Sequence, residues 1–201
     1  EGKTTLLKLI GGVLMPSLSE DLMHDYFFVP PHLRSVYVSG EPIFFRSSLL
    51  ENLTLGVKRG SSDGSILRVS KICYEIGLSG SISNFLQSDC DHSWTHGLAH
   101  SEQLLLSLAR ALVANPPLLC VERHWMDFNQ QTSIRVLQLL REHVVKRGIQ
   151  QDIRQRGPRT CVMTCKESNF GIDLIDCTYA VSHAKGVELI HEQSSEDLIC
   201  L

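Results

Sequence analysis

Three residues near the start of the sequence have types and a spacing that can bind phosphate. Gly2, Lys3 and Thr4 fit the last three positions of the pattern G-x-x-x-x-G-K-[ST], and the residues up to Ile10 read as an apolar helix. In such a loop, backbone N–H groups cradle phosphates, the Lys reaches the terminal phosphates and the Ser or Thr hydroxyl contacts Mg²⁺. The first glycine of the pattern and a strand before it are not in the sequence, so the interpretation depends on the rest of the chain.

A second group of residues has types that bind metal. His92, His96 and His100 recur every four residues with Cys90 nearby, and this spacing suggests a zinc site if the segment is helical. Gly97 interrupts the segment, so exposed loop histidines are the favoured interpretation.

Two pairs of side chains allow either a chemical or a structural role. Cys161 and Cys165 lie four residues apart, whereas a redox pair usually has the spacing C-x-x-C, so core packing is favoured. Trp94 and Trp125 could stack on a nucleotide base, but Trp125 more readily fills space in an interface.

The composition sets modest limits. At 201 residues the chain is long enough for one domain with a real core. The net charge of −3 gives no electrostatic reason to expect nucleic acid as a partner, and the basic stretch 147–159 is predicted to be a solvated connector. No apolar run approaches the ~18–20 residues that cross a bilayer. Seven scattered cysteines fit the reduced thiols of a cytosolic protein.

Helix-like and strand-like stretches alternate along the chain, which predicts an α/β sheet with helices on both faces. Ser101 is the predicted N-cap of one helix, and Asn115 marks its end. Asp173 and Asp176, before a hairpin over 177–190, are predicted to be solvated. The predicted helices are 3–10, 47–56, 65–78, 101–114 and 133–146, and the predicted strands are 35–38, 118–121 and 160–164.

This order of segments resembles the nucleotide-binding domain of an ABC transporter over nearly the whole chain. Residues 2–10 look like the end of the Walker A loop and its helix, and 32–56 are similar to the Q-loop region of exporter-type domains. Residues 97–122 resemble the signature motif, its helix and the Walker B strand, and SLARALVANPP (107–117) is the most specific match. Residues 186–199 look like the closing hairpin and helix of the family.

The resemblance implies a P-loop NTPase-type (RecA-like) α/β fold, with a mainly parallel sheet flanked by helices. It implies a single domain over 1–201 that is truncated at its N-terminus, with an α-helical signature subdomain at approximately 57–108. The implied cofactors are ATP and Mg²⁺. The residues that the resemblance assigns to the nucleotide are Gly2, Lys3, Thr4 and Thr5, and those that it assigns to the metal are Thr4 and Glu122.

The signature motif departs from the family pattern. L-S-G-G-Q aligns with Leu98, Ala99, His100, Ser101 and Glu102. In the family the serine hydroxyl and glycine amides of this motif grip the γ-phosphate bound to the opposite subunit, at a helix N-terminus. Ala99 removes the hydroxyl, His100 and Ser101 add bulk, and Glu102 adds negative charge near a phosphate.

The catalytic positions also depart from the pattern. The Q-loop Gln aligns with Gly40, and the switch His aligns with Cys165. The Walker B pair aligns with Glu122 and Arg123, and a guanidinium cannot act as a general base because it stays protonated. A register shifted by one would make Glu122 the base and put Val121 at the metal position, which still leaves one acid where two are needed.

These departures favour a degenerate half of a domain pair, which binds Mg-ATP with weak or absent hydrolysis. The implied partners are a second ABC nucleotide-binding domain and a transmembrane domain, with no nucleic acid. The implied location is the cytoplasmic face of a membrane, while the chain itself is expected to be soluble. Two alternatives remain open: an active ABC ATPase with unusual catalytic residues, and an interaction or scaffold domain that binds no nucleotide.

Overall fold

The computed structural model describes residues 2–16, 30, 32–78, 80–87, 93–122, 128–150, 154, 156–165, 172–192 and 198–200. The helices in this part of the chain are α1 (Lys3–Ile10), α2 (Leu49–Leu53), α3 (Ile66–Ile76), α4 (Ser81–Leu86), α5 (His100–Ala114) and α6 (Gln130–Val145). The strands are β1 (Ser35–Val38), β2 (Leu118–Val121), β3 (Thr160–Met163), β4 (Cys177–Ser182), β5 (Gly186–Glu192) and β6 (Leu198–Cys200). Short 3-10 turns lie at Ser62–Gly64, Ser93–Gly97 and Ile172–Leu174.

The strands form one sheet in the order β1-β2-β3-β6-β4-β5. All neighbours are parallel except β4 and β5, which form the predicted hairpin. Val38 lies opposite Val121, and Val121 lies opposite Met163, so β1, β2 and β3 end level with one another. The predicted α/β class, with a mainly parallel sheet flanked by helices, is confirmed.

The sheet is covered on both faces. Leu119 and Val121 of β2 belong to a large apolar cluster with buried residues of α2 to α6. Leu118 and Cys120, which point the other way because side chains alternate along a strand, join a smaller cluster with Leu7 of α1. Helix α1 therefore lies on the opposite face of the sheet from α5. Among the described helices, none has both the length and the apolar character needed to cross a membrane.

Two helices begin at residues other than the predicted ones. Helix α5 begins at His100, with Ala99 as its N-cap in an extended conformation, so the prediction that Ser101 is the N-cap is wrong. Helix α6 begins at Gln130 because the Asn129 side chain accepts a hydrogen bond from the Thr132 amide at 2.9 Å. The predicted end of α5 at Asn115 is confirmed, since Asn115 takes the left-handed conformation with φ 45°.

The described residues near the C-terminus form a strand, whereas a helix was predicted at the end of the segment 186–199. Leu198–Cys200 form β6, which pairs in parallel with β3 on one side and with β4 on the other. Because β6 lies between two strands, its backbone N–H and C=O groups find hydrogen-bond partners on both sides. A short helix over these residues would leave most of these groups without such partners.

Two stretches that were predicted to be solvated are buried in part. Ile149 is fully buried, and its carbonyl accepts a hydrogen bond from Arg68 Nε at 3.1 Å. Arg159, from the same basic stretch, is also buried. Asp176 is buried in an ion pair with Arg141 at 2.9 Å, and the guanidinium compensates for the lost hydration of the carboxylate.

Candidate functional site

The phosphate-loop residues lie at the start of α1. Gly2 is the N-cap of this helix and has a φ of 93°, in the left-handed region that glycine adopts without steric cost. Lys3 and Thr4 are half-buried in the first turn, and Thr5 is exposed. The first amides of a helix have no acceptor within the helix, so this end of α1 is suited to an anion.

The Lys3 ammonium reaches across to the segment after β3. Its Nζ donates a hydrogen bond to the backbone carbonyl of Cys165 at 2.6 Å. The structure therefore brings together the positions that align with the phosphate-loop Lys and with the switch His, which are 162 residues apart in the chain. The contact uses the backbone of Cys165, so the switch position contributes a carbonyl here whatever its side chain.

The Cys165 thiol has a partner of its own. The Cys200 thiol donates to Cys165 Sγ at a distance of 2.6 Å. This hydrogen bond, together with the nearby Lys3 charge, lowers the pKa of Cys165 below its usual range although burial acts in the opposite direction. The same hydrogen bond and burial raise the pKa of Cys200 well above its usual range. The expectation of core packing for Cys165 is therefore incomplete: the residue packs against the large cluster and also forms a thiol pair.

The carboxylate of Glu122 is held by two donors. Glu122 follows β2 directly, and its Oε2 accepts hydrogen bonds from the Tyr37 hydroxyl at 2.6 Å and from the Gly40 amide at 3.3 Å. Burial, and then the hydrogen bond and charge of Glu122, raise the pKa of Tyr37 above its usual range. The structure thus joins the Q-loop and Walker B positions through a tyrosine that the sequence analysis did not select.

These residues share one edge of the sheet. Gly40, Glu122 and Cys165 each follow the last residue of β1, β2 or β3 by one or two positions. Because neighbouring parallel strands end together, the three positions lie at the carboxyl edge, where open α/β sheets bind their ligands.

The metal-binding prediction can be tested on donor chemistry. Mg²⁺ takes oxygen ligands, usually one or two carboxylates together with waters and substrate phosphates. The Thr4 hydroxyl and the Glu122 carboxylate have the right chemistry, but no group of three His, Cys, Asp or Glu side chains suited to a metal occurs among the described residues. The donor set fits a Mg²⁺ ion carried by nucleotide phosphates rather than one held by protein alone. The zinc hypothesis gains no support at His96 and His100, and Cys90 and His92 lie outside the described residues.

The residues aligned with the signature motif occupy the start of α5. Ala99 and His100 are exposed, and Leu98 packs against the large cluster. The Glu102 carboxylate accepts a hydrogen bond from the Ala99 amide at 3.0 Å, so one backbone donor at the helix terminus is already satisfied. Because α5 and α1 cover opposite faces of the sheet, this segment and Lys3 are presented by different layers of the fold.

Two predicted positions cannot be placed, and one is corrected. Arg123, aligned with the general base, and Trp125 lie outside the described residues. Trp94 is buried, lies edge-on to Phe44 with ring centroids 5.2 Å apart, and donates from Nε1 to the Ser47 carbonyl at 3.1 Å. The suggestion that Trp94 stacks on a base is therefore wrong, because its ring already fills the core.

An apolar cavity of about 500 Å³ lies between β1 and α5, away from Lys3. Ile43, Phe45 and Leu55 line it and are 69%, 55% and 49% exposed. Arg110 lies at its wall, where its guanidinium contacts the Phe44 ring at 5.5 Å and donates to the Ile43 carbonyl at 2.9 Å. The cavity is open to solvent and lacks a carboxylate among its lining residues.

Comparisons with known proteins identify the class of the fold. The chain aligns with a solved structure of the ATP-binding cassette MJ0796, a dimer in a post-hydrolysis state with ADP and phosphate bound. The TM-score is 0.53 at 19% identity, and the alignment covers 86% of this chain and 72% of the other. The fold is therefore that of an ABC nucleotide-binding domain, as the sequence predicts.

A curated relative points to the same class. The chain is 26% identical over 140 residues to the molybdate/tungstate import ATP-binding protein WtpC of Pyrococcus horikoshii. The match covers 68% of this chain, which spans 39% of the length of that relative. No family model matches the chain. The resemblance to ABC nucleotide-binding domains is confirmed, and the relative is named as an import protein although residues 32–56 resemble exporter-type domains.

Proposed function

We propose that the chain is the ATP-binding domain of an ABC-type membrane transporter, which binds Mg-ATP, hydrolyses it weakly or not at all, and forms the degenerate half of a domain pair. The observation that carries this proposal is the position of Lys3, at the start of α1 and beside the carboxyl edge of the parallel sheet. We further propose a single domain over 1–201, in which 57–108 form a helical subdomain.

The Lys3 contact supports nucleotide binding. Its present partner, the Cys165 carbonyl, is neutral, and a charge-assisted hydrogen bond to a phosphate is stronger than one to a carbonyl. Exchange of the carbonyl for a phosphate oxygen is therefore favourable for the ammonium. Gly2 and Thr4 stand beside it with backbone and hydroxyl groups that would contact the phosphates and the ion they carry.

The Glu122 contacts support weak hydrolysis. A general base must accept a proton from water, and the Glu122 carboxylate already accepts hydrogen bonds from Tyr37 and Gly40. By the resemblance, Arg123 stands where the family has its general base, and a guanidinium cannot accept a proton. Loss of a positioned general base lowers a rate by ~10²–10⁴-fold.

The start of α5 supports pairing with a second domain. Within the described residues, the amides of His100 and Ser101 have no hydrogen-bond acceptor, so this exposed helix terminus keeps donors for a phosphate held elsewhere. The Glu102 carboxylate opposes such a phosphate. We therefore propose that the chain supplies a weakened signature surface to its partner domain.

The open cavity supports a membrane-domain partner. Ile43, Phe45 and Leu55 expose apolar surface around it, and exposed apolar surface of this kind marks interaction sites. We propose that the transmembrane domain contacts this surface from the membrane side, which would place the chain at the cytoplasmic face.

Calorimetric titration with Mg-ATP tests the nucleotide proposal. We expect binding by the unmodified chain and an affinity at least about tenfold lower in Lys3→Ala, because one charge-assisted contact is lost. Lys8→Ala is the matched control, since it removes the same charge from the last turn of the same helix and should bind as the unmodified chain does. Equal affinities in the two variants would contradict the role of Lys3.

Phosphate release separates weak from active hydrolysis. We expect the unmodified chain and Glu122→Gln to release phosphate at the same low rate. Turnover in the usual enzyme range of ~1–10³ s⁻¹ that disappears in Glu122→Gln would instead support an active ATPase.

A scaffold domain without nucleotide is the second candidate. It is favoured by the fact that protein groups already bind Lys3 and Glu122, so neither charge requires a ligand. Absence of calorimetric binding in the unmodified chain, with the protein folded, would support this candidate.

A further inference from the structure

The thiols of Cys165 and Cys200 meet at the carboxyl edge of the sheet. β6 lies beside β3 with Cys200 opposite Met163, and Cys165 follows two residues after Met163. This register directs both thiols to the same place, where the sulfur atoms are 2.6 Å apart. A pair of thiols in contact can form a disulfide without rearrangement of the strands.

The surroundings of the two thiols favour Cys165 as the nucleophile of the pair. Cys165 is partly exposed, whereas Cys200 is fully buried. The Cys200 hydrogen bond and the Lys3 charge lower the pKa of Cys165 against the opposing effect of burial, so Cys165 is the more readily ionised thiol of the two. Burial raises the pKa of Cys73 and Cys120 to about 12, and these thiols stay protonated and inert.

We propose that Cys165 and Cys200 form a reversible dithiol–disulfide pair that is oxidised by hydrogen peroxide. Cys165 Sγ attacks one peroxide oxygen, the O–O bond breaks, and the second oxygen leaves as water after it takes a proton, which leaves a sulfenic acid on Cys165. Cys200 Sγ then attacks Cys165 Sγ, the S–S bond forms, and the S–O bond breaks. The Cys200 proton leaves with that oxygen as a second water. Two thiols are oxidised and one peroxide is reduced.

The pair is linked to the phosphate-loop lysine. Lys3 donates to the carbonyl of Cys165, the residue that the disulfide would anchor to β6. An anchored Cys165 keeps its carbonyl in place to hold the ammonium, so we expect the oxidised chain to release Lys3 to a phosphate less readily. This second part rests on the proposed nucleotide binding, whereas disulfide formation does not.

Peptide mapping tests the pair directly. The chain is exposed to hydrogen peroxide, remaining thiols are blocked with N-ethylmaleimide, and the digest is analysed by mass spectrometry with and without reductant. We expect one reductant-sensitive link between the Cys165 and Cys200 peptides. Cys165→Ser and Cys200→Ser should each abolish it. Cys177→Ser removes another partly exposed cysteine, on β4, and should leave the link unchanged.

The outcomes separate this proposal from the preceding one. Absence of the link, or a Cys165 link to another cysteine in the folded chain, would overturn the pair. With the link formed, calorimetry should show Mg-ATP affinity about tenfold lower in the oxidised chain and restored by reductant, the effect of one charge-assisted contact. Equal affinity in both states would overturn the connection to Lys3. Binding in neither state would overturn the proposed function and leave the thiol pair standing on the peptide map.

Discussion

The two ends of α5 differ in how their backbone groups are bonded. At the C-terminal end, each of the last four carbonyls accepts a hydrogen bond from the protein. The donors are the Asn115 amide to Ala111 and Leu112, Arg68 to Leu112 and Val113, and Arg34 to Ala114. At the N-terminal end, Ala99 offers no side-chain cap, and the amides of His100 and Ser101 have no acceptor among the described residues.

This difference indicates that the C-terminal end of α5 serves stability and that its N-terminal end is available for binding. Four bonded carbonyls, three of them in buried residues, remove the cost that a helix terminus would otherwise carry. An exposed N-terminus with open amides contributes little to folding and remains available to a ligand. Substitutions at the C-terminal end should therefore change the free energy of unfolding, and those at the N-terminal end should change ligand binding.

The largest effect is expected at Arg68. Its guanidinium is buried and donates to four carbonyls, two of them in the last turn of α5. Arg68→Met would leave these acceptors without their donor, and we expect a loss of at least about 3 kcal/mol in the free energy of unfolding, measured by urea denaturation. Lys71→Met removes an exposed charge from the same helix and should change little. A small effect of Arg68→Met would show that the buried end needs no cationic donor.

His143 gives the next largest effect, through pH. Its side chain lies fully buried in α6, and burial, followed by the positive charge of Arg159, lowers its pKa to about 4. The unfolded chain binds this proton near pH ~6.5, so between there and pH ~4 the unfolded state holds more protons than the folded state. The contribution of His143 to the free energy of unfolding is therefore fully present above the unfolded-state pKa, and it is lost as the pH falls through this window.

The size of this loss can be measured by denaturation at several pH values. The difference between the two pKa values corresponds to a loss on the order of 3 kcal/mol at the acid end. His143→Met should flatten the dependence across the window, whereas His183→Gln, at an exposed turn, should preserve it. An unchanged slope in His143→Met would contradict the assignment to this side chain.

The same helix shows what local sequence can and cannot predict. Asn115 and the two prolines that follow it predict the end of α5 correctly, because left-handed Asn and Pro act through their own backbone. The start was assigned to Ser101 because its hydroxyl resembles a cap, whereas the helix begins one residue earlier and Glu102 bonds the Ala99 amide instead. The donors Arg34 and Arg68 come from distant segments, and no local pattern indicates them.

The candidate site likewise contains residues that the sequence predicts and residues that it does not. Its residues at the ends of β1, β2 and β3 follow from the order of segments, since parallel strands place their carboxyl ends together. Tyr37 was missed because its contact with Glu122 depends on the register between β1 and β2, which residue types do not specify. Cys200 lies just beyond the segment 186–199 that was predicted to end in a helix, and its contact with Cys165 depends on the insertion of β6 into the sheet.

The smallest effect on stability is expected at Glu102. Glu102→Gln keeps an oxygen acceptor for the Ala99 amide and removes one negative charge from the first turn of α5, so the free energy of unfolding should fall by only about 0.3–1 kcal/mol. Loss of the same charge should strengthen anion binding at the open amides of His100 and Ser101. Nuclear magnetic resonance titration with inorganic phosphate measures this at the two amides, with Glu51→Gln, a capping residue of α2, as the matched control. Amide shifts that saturate at lower phosphate in Glu102→Gln alone would show that the helix end is kept for a ligand and is opposed by its own carboxylate. Equal titrations in the two variants would show instead that the exposed end of α5 is only a poorly capped terminus.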